Sequence, residues 1–428
     1  MHGENILIVS YTFPPEKGIG GRRWAKFAKY IAKNGNNVNV ICHRRKNQYN
    51  LWSDDINSKY IHIHEISGFY PKILTQNPKN IYQKILYIAW IKILSLICRG
   101  SIYDKSIFLE KAFLQKAREV LSKHNIKYLF ITCAPFRLAY YGIKLKSEFD
   151  FFLTIDFRDP WTWGQGYGYS IISPHRKQSD SLMEKKVVNE ADLIISPSIS
   201  ILNYLKKKYS DASTNRFAWV PHAFDKDEFP DTIQKRKKAG QQFEIKLIYA
   251  GTIYDGYEFF ISELIDTLKT IQSVNPKTFE NIRFDFYSLS ESQHYENLIV
   301  KEGLIKKMIF NNAIPAKDLF KKLTEYDYTF IYFPEKFKDF ISTKFYEVIF
   351  LKIPIIYIGN RGEVWDFIHK NKLGYCFSLS EFKSQFLKLV SDEIPLDYNN
   401  NFNISKYDFE TITKELLLLV QKKSTNAD

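Results

Sequence analysis

Cysteine is scarce in this 428-residue chain: Cys42, Cys98, Cys133 and Cys376 stand far apart, with no CxxC pair. That scatter argues against a zinc site or a disulfide framework and fits a reducing cytosol. Signatures of nucleic-acid readers, such as an RRM or a zinc finger, are missing. So is an uninterrupted apolar run of membrane-spanning length. The nearest stretch, residues 81–98, is broken by Gln83, Lys84 and Lys92. It reads as an amphipathic helix with basic residues on one side, lying on a membrane or packed against protein. A strand begins within a few residues of Met1, which leaves no room for a signal peptide. Acidic residues are the minority: 61 Lys and Arg face 47 Asp and Glu, a formal net charge of +14. The surplus suits anionic partners, namely nucleotide diphosphates, nucleic acid or an anionic membrane face.

What the chain holds is apolar and aromatic. Hydrophobic residues make up 45% and aromatics 16%, in a length that allows two or three domains with sizeable cores. Its most organised stretch is residues 334–359, PEKFKDFISTKFYEVIFLKIPIIYIG. Ser342 and Thr343 are good N-caps for a helix over residues 344–351, which Pro354 stops. Residues 353–358 then form a continuous apolar run, as expected of a strand buried on both faces of a parallel sheet. A helix N-terminus seats an anion, because its N–H groups and dipole point outward. Glu347 lies one turn in, beside Lys344, and Asp339 lies eight residues earlier in the loop. Glu347 also reads simply as an early-helix acid favoured by the dipole.

The rest alternates strand and helix. An apolar strand over residues 5–10 leads into the loop YTFPPEKGIGGRR, a helical pattern over residues 24–33 and the strand VNVIC. Gly18, Gly20 and Gly21 sit where the loop enters the helix, where glycine lets backbone approach a phosphate. Their spacing is not GxGxxG, and no acid ends the second strand, so a tight turn accounts for them equally well. His62 and His64 share one face of an alternating strand over residues 60–66. With no third ligand nearby in sequence, solvent-facing histidines fit better than a metal pair. A strand over residues 152–155 ends in DFRDPW, which places Arg158 and Asp159 at a carboxyl end, where ligands sit in such sheets. A capped loop with an internal ion pair is the plainer alternative. The polar run DTIQKRKKAGQQ reads as a linker, with a new domain from Phe243. Its first strand, residues 245–249, leads to Thr252; a later one, residues 308–310, leads to the turn at Asn312 and Ile314. A last amphipathic helix covers residues 409–421.

Taken in order, these motifs resemble glycosyltransferase family 4. The likeness is carried by FPP–Gly-rich–RRW, DFRDPW, ADLIISPS, VPHAFDKDEF and the paired acids of residues 334–359. It spans nearly the whole chain. It implies an α/β protein of GT-B fold: two Rossmann-like domains facing a cleft, with a C-terminal helix crossing back to the first. Residues 1–220 would be the acceptor domain, residues 243–403 the NDP-sugar domain and residues 404–428 the returning helix. By the same resemblance Glu347 holds the donor ribose, and the helix start at Thr343 touches the diphosphate. Asp339, where the family has Glu, touches the donor sugar. Gly20 and Gly21 face the donor phosphates, and backbone from Asn312 to Ile314 reads the base. Arg158 and Asp159 line the acceptor side and carry the catalytic assignment. The family's diphosphate-gripping Arg and Lys are missing after residue 249. Thr252, backbone amides and Lys344 stand in for them. The family's Asn-Gly is His222-Ala223 here.

The expected function is a retaining glycosyltransferase that uses a nucleotide-sugar donor and a glycan or lipid-linked acceptor, as in lipopolysaccharide or capsule synthesis. No DxD-like triad is present, and no metal or other cofactor is expected. The expected location is cytoplasmic, peripheral on the inner face of the plasma membrane, with an anionic lipid surface as partner and no nucleic acid. Two other classes stay open. An NDP-sugar epimerase of the same architecture would need acid/base carboxylates. A non-catalytic binding member would explain the missing Arg/Lys pair.

Overall fold

The computed structural model describes residues 1–16, 19–44, 52–164, 171–230, 244–253, 256–288 and 292–425. Gly18, the linker over residues 231–242, Phe243, and Tyr254 with Asp255 of the AGTIYDGYE loop lie outside them. The chain divides into two compact units, Met1–Pro221 with Phe409–Asp428, and His222–Asp408.

Unit 1 is built on seven parallel strands: β1 Asn5–Val9, β2 Asn37–His43, β3 Ile61–Ile66, β4 Ile126–Cys133, β5 Phe152–Phe157, β6 Leu193–Ser196 and β7 Phe217–Trp219. They lie in the order β3-β2-β1-β4-β5-β6-β7. The central strands are apolar on both faces because helices cover both, so β5 is buried at every residue. The chain leaves β1 in one direction and returns through β4 in the other, which makes the carboxyl ends of these two strands the topological switch point. The last helix, Phe409–Thr425, belongs to this unit. Its Phe409 ring meets Phe27 of the Arg22–Lys33 helix edge-on at 5.5 Å.

Unit 2 repeats the scheme with β8 Ile245–Ala250, β9 Ile282–Ser288, β10 Met308–Asn312, β11 Tyr328–Tyr332, β12 Ile355–Ile358 and β13 Gly374–Phe377. Their order is β10-β9-β8-β11-β12-β13, so the switch point falls between β8 and β11. Phenylalanines dominate its core, with Phe260, Phe284, Phe286, Phe330, Phe382 and Phe386 packed around the sheet. The segment after Pro221 folds with this unit. Phe224 stacks on Phe350 at 4.5 Å, Phe229 stacks on Phe320 at 4.2 Å, and the Phe224 N–H donates to the Tyr407 carbonyl at 3.1 Å. Unit 2 spans His222–Asp408, where the resemblance implies a donor domain over residues 243–403 and a returning helix over residues 404–428.

The helix before β6 spans Pro174–Glu190. Its polar first half carries no apolar period, and Ser173 followed by Pro174 at the first helical position is the signal that marks it. His64 is half-buried with Nε2 3.0 Å from Asn39 Oδ1, and desolvation lowers its pKa; His62 is exposed. His64 is thus engaged by a strand neighbour.

Candidate functional site

Ligands of doubly wound sheets bind outside the carboxyl ends of strands at the switch point. In unit 2 that place is formed by Gly251 and Thr252 after β8 and by the loop that leaves β11 for the helix Thr343–Phe350. Ser342 is the N-cap of that helix, in extended backbone. From the second helical position, Lys344 reaches back to the end of β8. A Cβ built on Gly251 would fall 1.7 Å from the Lys344 Nζ, and Gly251 holds φ at +153°. Only glycine leaves room for the amine here. The Nζ also lies 5.9 Å from the Tyr249 ring centroid. Burial pulls the Lys344 pKa down from 10.5 to about 8, and the charge of Glu347 partly offsets that fall.

A chain of tyrosines props this corner. The Tyr257 hydroxyl lies 2.7 Å from both the Tyr332 carbonyl of β11 and the Tyr249 hydroxyl of β8. Tyr249 in turn donates to the Thr252 carbonyl. Thr252 is exposed, while Thr343, Lys344 and Glu347 are half-buried. The Lys344 amine is therefore held at the end of β8, beside Gly251 and Thr252.

The other donor-side candidates are placed differently. Asp339 Oδ1 accepts the Glu363 N–H at 3.1 Å, and the neighbouring Lys338 carbonyl accepts the Val364 N–H at 3.1 Å. The loop thus caps the helix Glu363–Asn371, whose own N-cap, Gly362, has no side chain to do so. One carboxylate oxygen of Asp339 is occupied by that cap. Asn312 ends β10, exposed on the edge strand two strands from β8; Ile314 is half-buried in the turn beyond it. A separate pocket of about 400 Å³ opens past the ends of β12 and β13, lined in part by Arg361, Trp365, Ser378 and Glu381. None of the sequence-nominated residues lines it.

In unit 1 the switch point lies between β1 and β4, and Arg158 organises it from the end of β5. Its Nη1 donates to the Gly20 carbonyl at 2.6 Å, its Nε to the Cys133 carbonyl at 3.1 Å and its Nη2 to the Ala134 carbonyl at 3.4 Å. The guanidinium ties the loop after β1 to the loop after β4, which makes Arg158 a positioning residue in this arrangement. Gly21 permits the fold-back of the first loop: a Cβ there would fall 2.8 Å from the Thr12 carbonyl oxygen and 3.2 Å from the Phe13 Cα. Asp159 follows Arg158, half-buried.

Sequence named the RRW and DFRD motifs but not their union. The fully buried Asp156 accepts through Oδ2 from Trp24 Nε1 at 2.7 Å, Arg23 Nε at 3.2 Å and Thr132 Oγ1 at 3.3 Å. Arg23 also donates to the Val220 and Pro221 carbonyls at 2.7 and 2.6 Å. The signal for this network was a lone acid inside an apolar strand, since a buried carboxylate must find donors.

Two parallel sheets of the same strand order, with the final helix returned to the first unit, define a GT-B fold. No family model matches the sequence, and no curated protein does. Solved structures match over essentially the full chain. Sucrose-phosphate synthase from Thermosynechococcus elongatus has a TM-score of 0.67 at 12% identity, covering 99% of this chain and 100% of its own. HepE from Anabaena, in complex with UDP, has a TM-score of 0.61 at 11% identity, covering 98% and 100%. WaaG, a glycosyltransferase of lipopolysaccharide biosynthesis, has a TM-score of 0.54 at 12% identity, covering 99% and 98%. At such identities the likeness is one of fold, and the neighbours are GT-B glycosyltransferases.

Proposed function

We propose that the chain is a retaining glycosyltransferase of the family 4 type. It takes a sugar from a nucleoside-diphosphate donor bound by unit 2 and passes it to a glycan or lipid-linked acceptor handled by unit 1. The product is a bacterial surface polysaccharide such as lipopolysaccharide, made at the inner membrane face. The observation that carries the reading is Lys344, whose amine lies at the end of β8 beside a helix N-terminus and Glu347. HepE, solved with UDP, and WaaG, which acts in lipopolysaccharide synthesis, support the donor and acceptor classes.

In this reading the Lys344 ammonium and the first-turn N–H groups at Thr343 neutralise the departing diphosphate. Glu347 accepts hydrogen bonds from the ribose diol. Asp159 orients the acceptor hydroxyl while Arg158 holds the loops around it. The bond from the sugar anomeric carbon to the phosphate oxygen breaks, and the acceptor oxygen bonds to that carbon on the same face. The acceptor proton passes to the leaving phosphate, so no side chain serves as general base.

The test is product analysis with UDP-sugars, with and without membrane glycolipid extract. Nucleoside diphosphate release that depends on acceptor, with an anomeric configuration equal to the donor's, is expected. Sugar interconversion without acceptor would identify an epimerase instead. Binding without either reaction would identify a non-catalytic member.

A further inference from the structure

The helix Ile81–Ile97 was expected to be amphipathic with a basic side, and it is not. It has two apolar faces. One packs inward: Leu94 is fully buried, with Tyr87, Trp90 and Ile91 around it, in a small cluster with Ile73, Leu74 and Ile102. The other faces water. Tyr82, Ile85, Leu86, Ile93, Leu96 and Ile97 fall on one stripe at helical period, and all six are exposed, Tyr82 by 80% and Leu96 by 87%. Phe69, 58% exposed, packs at a tilt against Trp90 with ring centroids 5.4 Å apart and widens the surface. Soluble monomers rarely show a contiguous apolar surface of this kind.

The charges around the stripe say what covers it. From Ser67 to Tyr103 the sequence has Lys72, Lys79, Lys84, Lys92 and Arg99 and not one Asp or Glu. All five bases are exposed. A second copy of the chain meeting this face through a two-fold axis would set that basic collar against itself. An anionic lipid surface would meet it with opposite charge, worth about fivefold in partitioning for each Lys or Arg at the surface. No helix among the described residues is long and apolar enough to cross a membrane. We propose that Ile81–Ile97 lies in the plane of an anionic membrane, its Tyr82–Ile97 stripe sunk among the acyl chains and its Lys and Arg collar at the headgroups. This rests on the membrane-face part of the proposed function and names the element responsible. About 25 Å of helix is then buried to a depth of about 5–10 Å.

Flotation of the full chain with phosphatidylcholine vesicles, with and without phosphatidylglycerol, tests it. Wild type should float with the anionic vesicles and lose part of that binding as salt is raised. Ile85→Glu with Leu96→Glu should cut partitioning by at least about tenfold per side chain, since each apolar side chain is withdrawn from lipid. Both positions are exposed, so melting temperature and nucleotide-sugar affinity should hold. Lys84→Glu with Lys92→Glu should remove much of the salt-sensitive part. Wild type that floats while Ile85→Glu/Leu96→Glu floats equally overturns the assignment of this helix. Wild type that floats with no vesicle overturns the membrane reading itself. A wild-type dimer that becomes a monomer in Ile85→Glu/Leu96→Glu puts a second copy on the stripe and overturns the lipid.

Discussion

Lys344→Met keeps the reach of the side chain and removes its charge. The amine is held against Gly251 and the Tyr249 ring, and burial lowers its pKa from 10.5 to about 8. At about 1.36 kcal/mol per pH unit the displacement corresponds to roughly 3 kcal/mol, and partial contact with water discounts it to on the order of 1–2 kcal/mol. The sign follows from proton binding. Near neutrality the folded chain carries an ammonium that would be better solvated unfolded. Between about 8 and 10.5 the folded chain gives up that proton while the unfolded chain keeps it, so stability rises with pH through this window. The Met variant should therefore melt higher than wild type near neutrality, with the difference fading above that window. Donor binding should move the other way. A charge-assisted bond to a diphosphate contributes about 1.5–3 kcal/mol, so its loss weakens affinity roughly ten- to hundredfold. Thermal melting and calorimetric titration of nucleotide sugars on the same samples read both quantities. A variant that melts lower and binds donor unchanged would show Lys344 to be a packing residue and would refute the reasoning.

Three further substitutions probe neighbouring parts. Gly251→Ala places a methyl where the Lys344 amine sits and forces a positive φ on alanine, so donor affinity should fall with that of Lys344→Met, without additivity in the double variant; additive losses would separate the two residues. Asp159→Asn should lower the transfer rate far more than donor affinity, measured as kcat against donor Kd; equal losses would move Asp159 out of the acceptor role. Asp339→Ala removes the side-chain acceptor of the Glu363 N–H and should cost about 0.5–2 kcal/mol by melting, with donor affinity tested alongside. A fall in affinity without loss of stability would return Asp339 to a sugar contact.

The strands were the most legible part of the chain. Runs such as IIYI in β12 are apolar throughout, and FLTI in β5 nearly so, because both faces are covered; continuous, mostly apolar runs of that kind say so directly. The helix Tyr257–Val274, not named from the sequence, carries Tyr257, Phe260, Ile261, Leu264, Leu268 and Ile271 on one buried stripe. The site was harder to read. Contacts between Lys344 and Gly251, between Arg158 and Gly20, and between Asp339 and the Glu363 amide join residues far apart in sequence, and no local pattern reports them. Residue type was ambiguous where one chemistry serves two ends, as with an acid that either touches a sugar or caps a helix. The exposed stripe of Ile81–Ile97 was hidden for a related reason: its composition marks the helix as apolar, but only the fold shows which half of that surface stays uncovered.

The most direct measurement is a calorimetric titration of UDP and UDP-sugars into wild type and Glu347→Gln, with melting temperatures taken on the same preparations. The glutamine keeps the shape and loses the charge that would accept the ribose diol. If unit 2 holds a nucleotide sugar at the end of β8, Glu347→Gln should weaken binding by about tenfold or more, at roughly 1.4 kcal/mol per decade, with little change in melting. If Glu347 serves only the helix dipole, the variant should lose about 0.3–1 kcal/mol of stability and bind as wild type does. Unchanged affinity with a lowered melting point would contradict the account.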